Sequence, residues 1–156
     1  MSLIKVKEYF KKYNMDNRII ELNESSATVA DAAHALSCEE KEIAKSLTFK
    51  LNDEVIMIVT AGDAKIDNAK YKSFFKHKAA MLKYDEVNPL VGHEVGGVCP
   101  FALNEGIKVY LDISLKRFKY VYPACGSTNS AIKLTLEELE KYSNYTEWID
   151  VCKDWN

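Results

Sequence analysis

Three short stretches hold the residues whose types and spacing could do chemistry. In VGHEVGGVCPF, residues 91–101, adjacent Gly96 and Gly97 lie between His93 and the Cys99–Pro100 pair. Glycines inside an apolar run sacrifice backbone entropy and packing, so the pair marks a place where a ligand or a neighbouring backbone comes close. Their free N–H groups could also donate to an oxygen, and Pro100 would stiffen the end of the loop. His93 is either an acid/base or a structural histidine beside a turn. Cys99 is either a thiol nucleophile near His93 or a small buried hydrophobe between Val98 and Pro100.

Lys45 opens the stretch KSLTFKL (45–51). Strand alternation puts Lys45, Leu47, Phe49 and Leu51 on one face, turned toward the core, with Ser46, Thr48 and Lys50 on the other. A lysine there either snorkels outward from the strand end or sends its ammonium into a pocket, where it would partner an anionic or carbonyl oxygen. The third stretch is ACGSTNS (124–130). Gly126 and Ser127 follow an apolar strand there, and a hydroxyl beside backbone amides can hold a polar substrate group. The alternative is a plain turn around Asn129. No GxSxG elbow, P-loop or HExxH sequence is present, which disfavours the corresponding hydrolase, NTPase and zincin chemistries.

The elements that must position these residues alternate between two periods. Leu3, Val6, Phe10 and Tyr13 recur at helical spacing, RIIEL (18–22) reads as a short strand, and Thr28 followed by Asp31 starts a helix over VADAAHAL. Ser37 and Glu40 have capping-box spacing. After KSLTFKL, the residues NDE turn the chain into VIMIVT (55–60), a continuous apolar run typical of a buried central strand. Asp67 caps a helix over NAKYKSFFKHK, AAMLK reads as a strand, and DEVNPLVG as a short helix stopped near Gly92. Strands over IKVYLDI (107–113), KYVYPA and AIKL follow, with a turn at SLKRF, and Thr135 caps LEELEKYS. Interspersed helices and more numerous strands predict an α/β fold of the α+β type: a mixed sheet closing into a partial barrel, with helices outside.

The 156 residues fit one domain, and no repeat or linker divides them. The net charge of −2 makes no global case for nucleic-acid binding. The four cysteines, Cys38, Cys99, Cys125 and Cys152, form no CxxC pair, so neither a disulfide framework nor a structural zinc site is expected. No apolar run approaches membrane length and the first residues lack a secretory h-region, which together predict a reduced, cytoplasmic protein.

A lysine opening KSLTF, the segment GHEVGGVCPF and CGS after YVYPA occur in this order in the YbaK/ProX-type aminoacyl-tRNA deacylases. Those are freestanding relatives of the editing domain inserted in bacterial prolyl-tRNA synthetase. The chain resembles them over roughly residues 20–142. The resemblance implies one editing domain over 1–156, with the YbaK/prolyl-tRNA synthetase associated fold. It implies hydrolysis of the ester between a small amino acid and the terminal ribose of a mischarged tRNA, with tRNA(Pro)-type substrates foremost. Lys45, Gly96 and Gly97 would carry the chemistry, and His93, Cys99, Pro100, Gly126 and Ser127 would bind substrate. Neither metal nor organic cofactor is implied, and relatives lean on substrate and backbone groups rather than a side-chain nucleophile. Prolyl-tRNA synthetase is a second partner that the resemblance suggests. The residue before the proline, often serine in relatives, is Cys99 here.

The alternative is a module that binds aminoacyl-tRNA or a synthetase without catalysis. In either case the tRNA needs cations, and KIDNAKYKSFFKHK (65–78) supplies five lysines against the single acid Asp67. As a helix from Asn68 it would turn Phe74 and Phe75 inward and project Lys72 and Lys76 on one face toward phosphates. A plain solvated lysine face is the other meaning of such a run.

Overall fold

The structure is a computed structural model and describes residues 2–155. Its centre is the antiparallel hairpin of β2 (Ile43–Leu51) and β3 (Glu54–Ala61). Asn52, in the left-handed conformation at φ 57°, makes the turn between them. β3 is the most apolar strand, and every residue from Ile56 to Ala61 is buried. Parallel pairing adds β5 (Lys108–Asp112) beside β3 and β6 (Tyr120–Pro123) beside β2. With β8 (Leu134–Thr135) and β9 (Glu147–Ile149) at the edges, the order β8-β6-β2-β3-β5-β9 forms a curled, mixed half-barrel. Two small ladders complete the strands. β1 (Ile19–Glu21) pairs with β7 (Ser130–Ile132), and β4 (Lys65–Ile66) with β10 (Cys152–Lys153).

Helices close the faces of the sheet. α3 (Asn68–Phe75) starts at Asp67, whose Oδ1 accepts from the Ala69 and Lys70 amides. It lays Tyr71 against Phe49 at 5.2 Å and Phe75 against Tyr110 at the same distance. α1 (Ser2–Lys11) adds Val6 and Phe10 to the same core, and Phe10 meets Phe101 at 4.8 Å. α2 (Val29–Leu36) is capped by the Thr28 hydroxyl and packs Ala32 and Ala33 against Ile43 and Tyr122. α4 (Tyr84–Val91) ends on Gly92 at φ 97°. α5 (Leu136–Ser143) begins in a reciprocal capping box between Thr135 and Glu138.

The sheet curl and the helices outside it agree with the sequence reading, and three local expectations are corrected. Ser37 does not open a capping box; it closes α2 in the left-handed conformation at φ 55°, and the Glu39 amide donates to Glu42 instead. Phe74 is 41% exposed, because α3 is short and Tyr71 takes the core position beside Phe75. AAMLK is no strand: it crosses the edge of β2 with one bridge, Phe49 to Met81. The tail past Ser143 holds β9 and β10, tied down by the buried Asp112, which accepts from the Ser114 and Val151 amides. Among the described residues, no helix is long and apolar enough to cross a membrane.

Candidate functional site at the divided edge of β2

β3 covers one edge of β2 along its length, but the other edge is divided. Ile43 and Ala44 pair with Tyr122 and Pro123 of β6. Pairing resumes where the Thr48 carbonyl accepts from the Leu82 amide at 3.1 Å and the Lys50 amide donates to the Ala80 carbonyl at 2.8 Å. Lys45, Ser46 and Leu47 lie between these two stretches. Backbone groups alternate along a strand, so the N–H and C=O of Ser46 aim into the gap as those of Thr48 and Lys50 aim at residues 80–82.

A cavity of about 400 Å³ opens at this gap. Its walls come from the entry to α2 (Ser26 to Val29), from Met81, Leu82 and Val87, from Val95, Gly96 and Val98, and from Tyr122, Ser130 and Ala131. The lining is mainly apolar. The lining residues with polar side chains are Lys45, Ser26, Thr28, Ser46, Thr48, Tyr84, Tyr122 and Ser130; among the described residues that line it there is no carboxylate, imidazole or thiol. Such a space accepts an uncharged group of moderate size and orients it with a few donors and acceptors.

Lys45 is part of the wall, and its ammonium donates to the Gly62 carbonyl at 3.4 Å, a long contact. Burial lowers its pKa, partly offset by the neighbouring Cys152 and Asp63. A lysine held this way keeps donor capacity for an incoming oxygen. The Ser46 Oγ is buried and has no hydrogen-bond partner among the described residues, an unsatisfied group of the kind that ligands complete. Ser130, fully buried, exchanges a 2.6 Å hydrogen bond with the Ser127 Oγ, which also donates to Asn129 Oδ1 at 3.0 Å.

The glycine pair divides in role. Gly96 lines the cavity at φ 95°, and among the described residues no hydrogen bond uses its N–H. Gly97 does not line it. Its amide donates to the Glu94 carbonyl at 3.0 Å, and a β-carbon there would stand 2.5 Å from the Ser127 nitrogen. The close neighbour of Gly97 is therefore the 126–127 backbone, and its amide is not free to receive an oxygen. Gly126, at φ 93°, is packed against the start of α1.

His93, Cys99 and Pro100 also lie away from the cavity. His93 is fully buried with Nε2 2.6 Å from the Phe101 carbonyl, which makes Nε2 the protonated nitrogen; burial lowers its pKa, and Nδ1 has no partner among the described residues. Cys99 is fully buried with its Sγ 3.5 Å from that imidazole, and burial pushes its thiol up to about 12. Both are core groups that hold the segment presenting Gly96 and Val98. Pro100 faces a separate polar groove beside Tyr9 and Tyr13. Lys72 and Lys76 are exposed as expected, although Lys76 is the left-handed cap at φ 65° rather than a helical residue.

Sequence reasoning overlooked Ser46, Ser130 and Tyr122. Alternation put Ser46 on the face away from the core, and nothing local announces that the strand loses its partner there.

Comparison with known proteins points the same way. The aminoacyl-tRNA editing domain family matches residues 23–142. YwhH of Bacillus subtilis (strain 168), an uncharacterised protein, is 54% identical over 156 residues, 99% of each chain. The proline–tRNA ligase of Bacillus pumilus is 30% identical over 90 residues, which are 57% of this chain and only 16% of the ligase. In three dimensions, a candidate trans-editing enzyme for prolyl-tRNA synthetase aligns over 97% of both chains with a TM-score of 0.87 and 25% identity.

Proposed function

The chain belongs to the aminoacyl-tRNA editing domain family, and from that premise we propose that it hydrolyses the ester of a mischarged aminoacyl-tRNA in the cavity beside β2. The observation that carries this reading is the divided strand edge, where Lys45, Ser46 and Gly96 meet around an apolar space. The aminoacyl group enters with its carbonyl oxygen toward the Lys45 ammonium and the Gly96 amide. Water adds to that carbonyl carbon, the bond to the ribose oxygen breaks, and a proton from the water passes to that oxygen, releasing the amino acid and a free ribose hydroxyl. The two donors stabilise the oxyanion that forms between these steps. The cavity contributes position and polarity, which suits a wall without acid, imidazole or thiol.

The apolar lining favours a small uncharged amino acid. The similarity to a segment of proline–tRNA ligase makes tRNA(Pro) the first substrate to try and the ligase a partner to test. The basic residues Lys72 and Lys76 supply phosphate contacts for the stem, and the whole chain acts as one editing domain. The experiment is incubation of substoichiometric protein with a panel of mischarged tRNAs. Multiple turnovers on one or a few of them support the enzyme; protection of the ester against spontaneous hydrolysis would make the protein a binding module instead.

A further inference from the structure

Strand β6, which lies between β8 and β2, leads out of the cavity. Its alternation buries Val121 and Pro123 and leaves Tyr120 and Tyr122 half-exposed on one face, two residues and so about 6.6 Å apart along the strand. Tyr122 lines the cavity. Tyr120, the next ring outward, has the Lys133 ammonium 4.4 Å and the Lys119 ammonium 5.4 Å from its centroid. Both lysines are exposed, and among the described residues neither joins an ion pair. The carboxylate that caps α5 beside this strip, Glu138, is already taken by Arg18 at 2.6 Å. The strip therefore offers two aromatic rings beside the cavity and two ammonium groups that lie over the Tyr120 ring, paired with no carboxylate among the described residues, which an incoming base would displace toward its own phosphates.

Aromatic rings flanked by free cations suit a single-stranded nucleic acid: bases stack on the rings and phosphates approach the ammonium groups. A duplex, whose bases are stacked on one another, could use only the lysines. We propose that β6 is a track for single-stranded RNA, with a terminal nucleotide against Tyr122, the nucleotide before it on Tyr120, and its phosphates beside Lys119 and Lys133. The direction of the strand rests on the reading that the cavity holds a 3′-terminal ester.

The test is direct binding, by fluorescence anisotropy, of adenosine-ended mono-, di- and tetraribonucleotides at fixed salt. Wild-type affinity should rise as nucleotides are added. Tyr120→Ala should lose about tenfold or more for the longer strands, and Tyr120→Phe should restore the gain. Charge reversal at Lys119 and Lys133 should flatten the salt dependence by roughly 0.7 per lysine removed. An affinity independent of length, wild-type binding by Tyr120→Ala, or equal binding of a duplex of the same length would overturn the proposal. Hydrolysis of a minimal aminoacyl-adenosine ester, measured on the same preparations, tests the cavity separately. Absence of hydrolysis with length-dependent binding intact would remove the editing reading and leave the track.

Discussion

Gly97 lies so close to Ser127 that a β-carbon on the one would stand 2.5 Å from the amide nitrogen of the other. This contact joins the glycine segment to the turn after β6, and the two together hold Gly96 and Ser130 on the cavity wall. Gly97→Ala should therefore destabilise the fold, by about 1–3 kcal/mol, because the obstruction is backbone and cannot rotate away. Denaturant unfolding checks this. Gly96→Ala meets side chains first, Thr128 at 2.9 Å and Ala27 at 3.3 Å, but is strained at φ 95°; it should cost turnover on an ester substrate through loss of cavity shape. Equal stability of wild type and Gly97→Ala would refute the packing role.

Lys45→Ala gives up one long hydrogen bond to a carbonyl and should stay folded. Ester hydrolysis should fall by about 2–4 kcal/mol of transition-state stabilisation, roughly thirty- to a thousandfold. Near-wild-type turnover would return Lys45 to a purely structural place beside Gly62.

The buried imidazole predicts an acid dependence. Burial keeps the folded pKa of His93 below its ordinary value, so folding favours the neutral form. Its contribution is fully present above about pH 6.5, the unfolded value, and is lost as pH falls from there toward the folded pKa. Comparing wild type with His93→Leu between pH 7.5 and 5.5, the wild type should lose stability more steeply, while the variant is less stable throughout. Parallel curves would show that His93 takes up its proton without penalty.

Thiol chemistry is expected to be irrelevant to turnover. Cys99, Cys125 and Cys152 are buried and Cys38 is half-exposed, with its thiol pushed up to about 11 by burial and the nearby Glu42 and Glu39. Under native conditions iodoacetamide should label Cys38 slowly and the others hardly at all, with activity retained. Activity that decays in step with labelling of Cys99 would restore the nucleophile.

For Lys72 and Lys76, simultaneous reversal to glutamate should weaken a tRNA substrate and spare a minimal aminoacyl-adenosine ester, with a salt slope reduced by roughly one per lysine. Equal losses on both substrates, or none on either, would move the stem to another surface.

Much of the fold is legible locally. Thr28, Asp67 and Thr135 accept from amides of their own helices, so their chemistry can be recognised within four residues. The β2–β3 hairpin is equally plain from its apolar pattern and its turn. What escapes is whatever depends on distant pairing. β9 and β10 are three and two residues long and exist because β5 and β4 are there to receive them. The candidate site is of this kind: the gap at Ser46 arises where β6 stops and residues 80–82 begin, and the partner that explains Gly97 is Ser127. The sequence reading singles out segments that border this cavity and differs from the structure in individual residues: Ser130 rather than Ser127 lines it, and of the two glycines read as donors Gly97 is a packing contact.

In the proposed reaction the ester is held at the divided edge of β2. A crystal structure with a stable, amide-linked aminoacyl-adenosine tests it most directly. The aminoacyl group is expected in the gap, within hydrogen-bond distance of Ser46 and with its carbonyl oxygen toward Lys45 and Gly96. The same ligand lodged in the polar groove of Tyr9, Tyr13 and Pro100, with the gap empty, would contradict it.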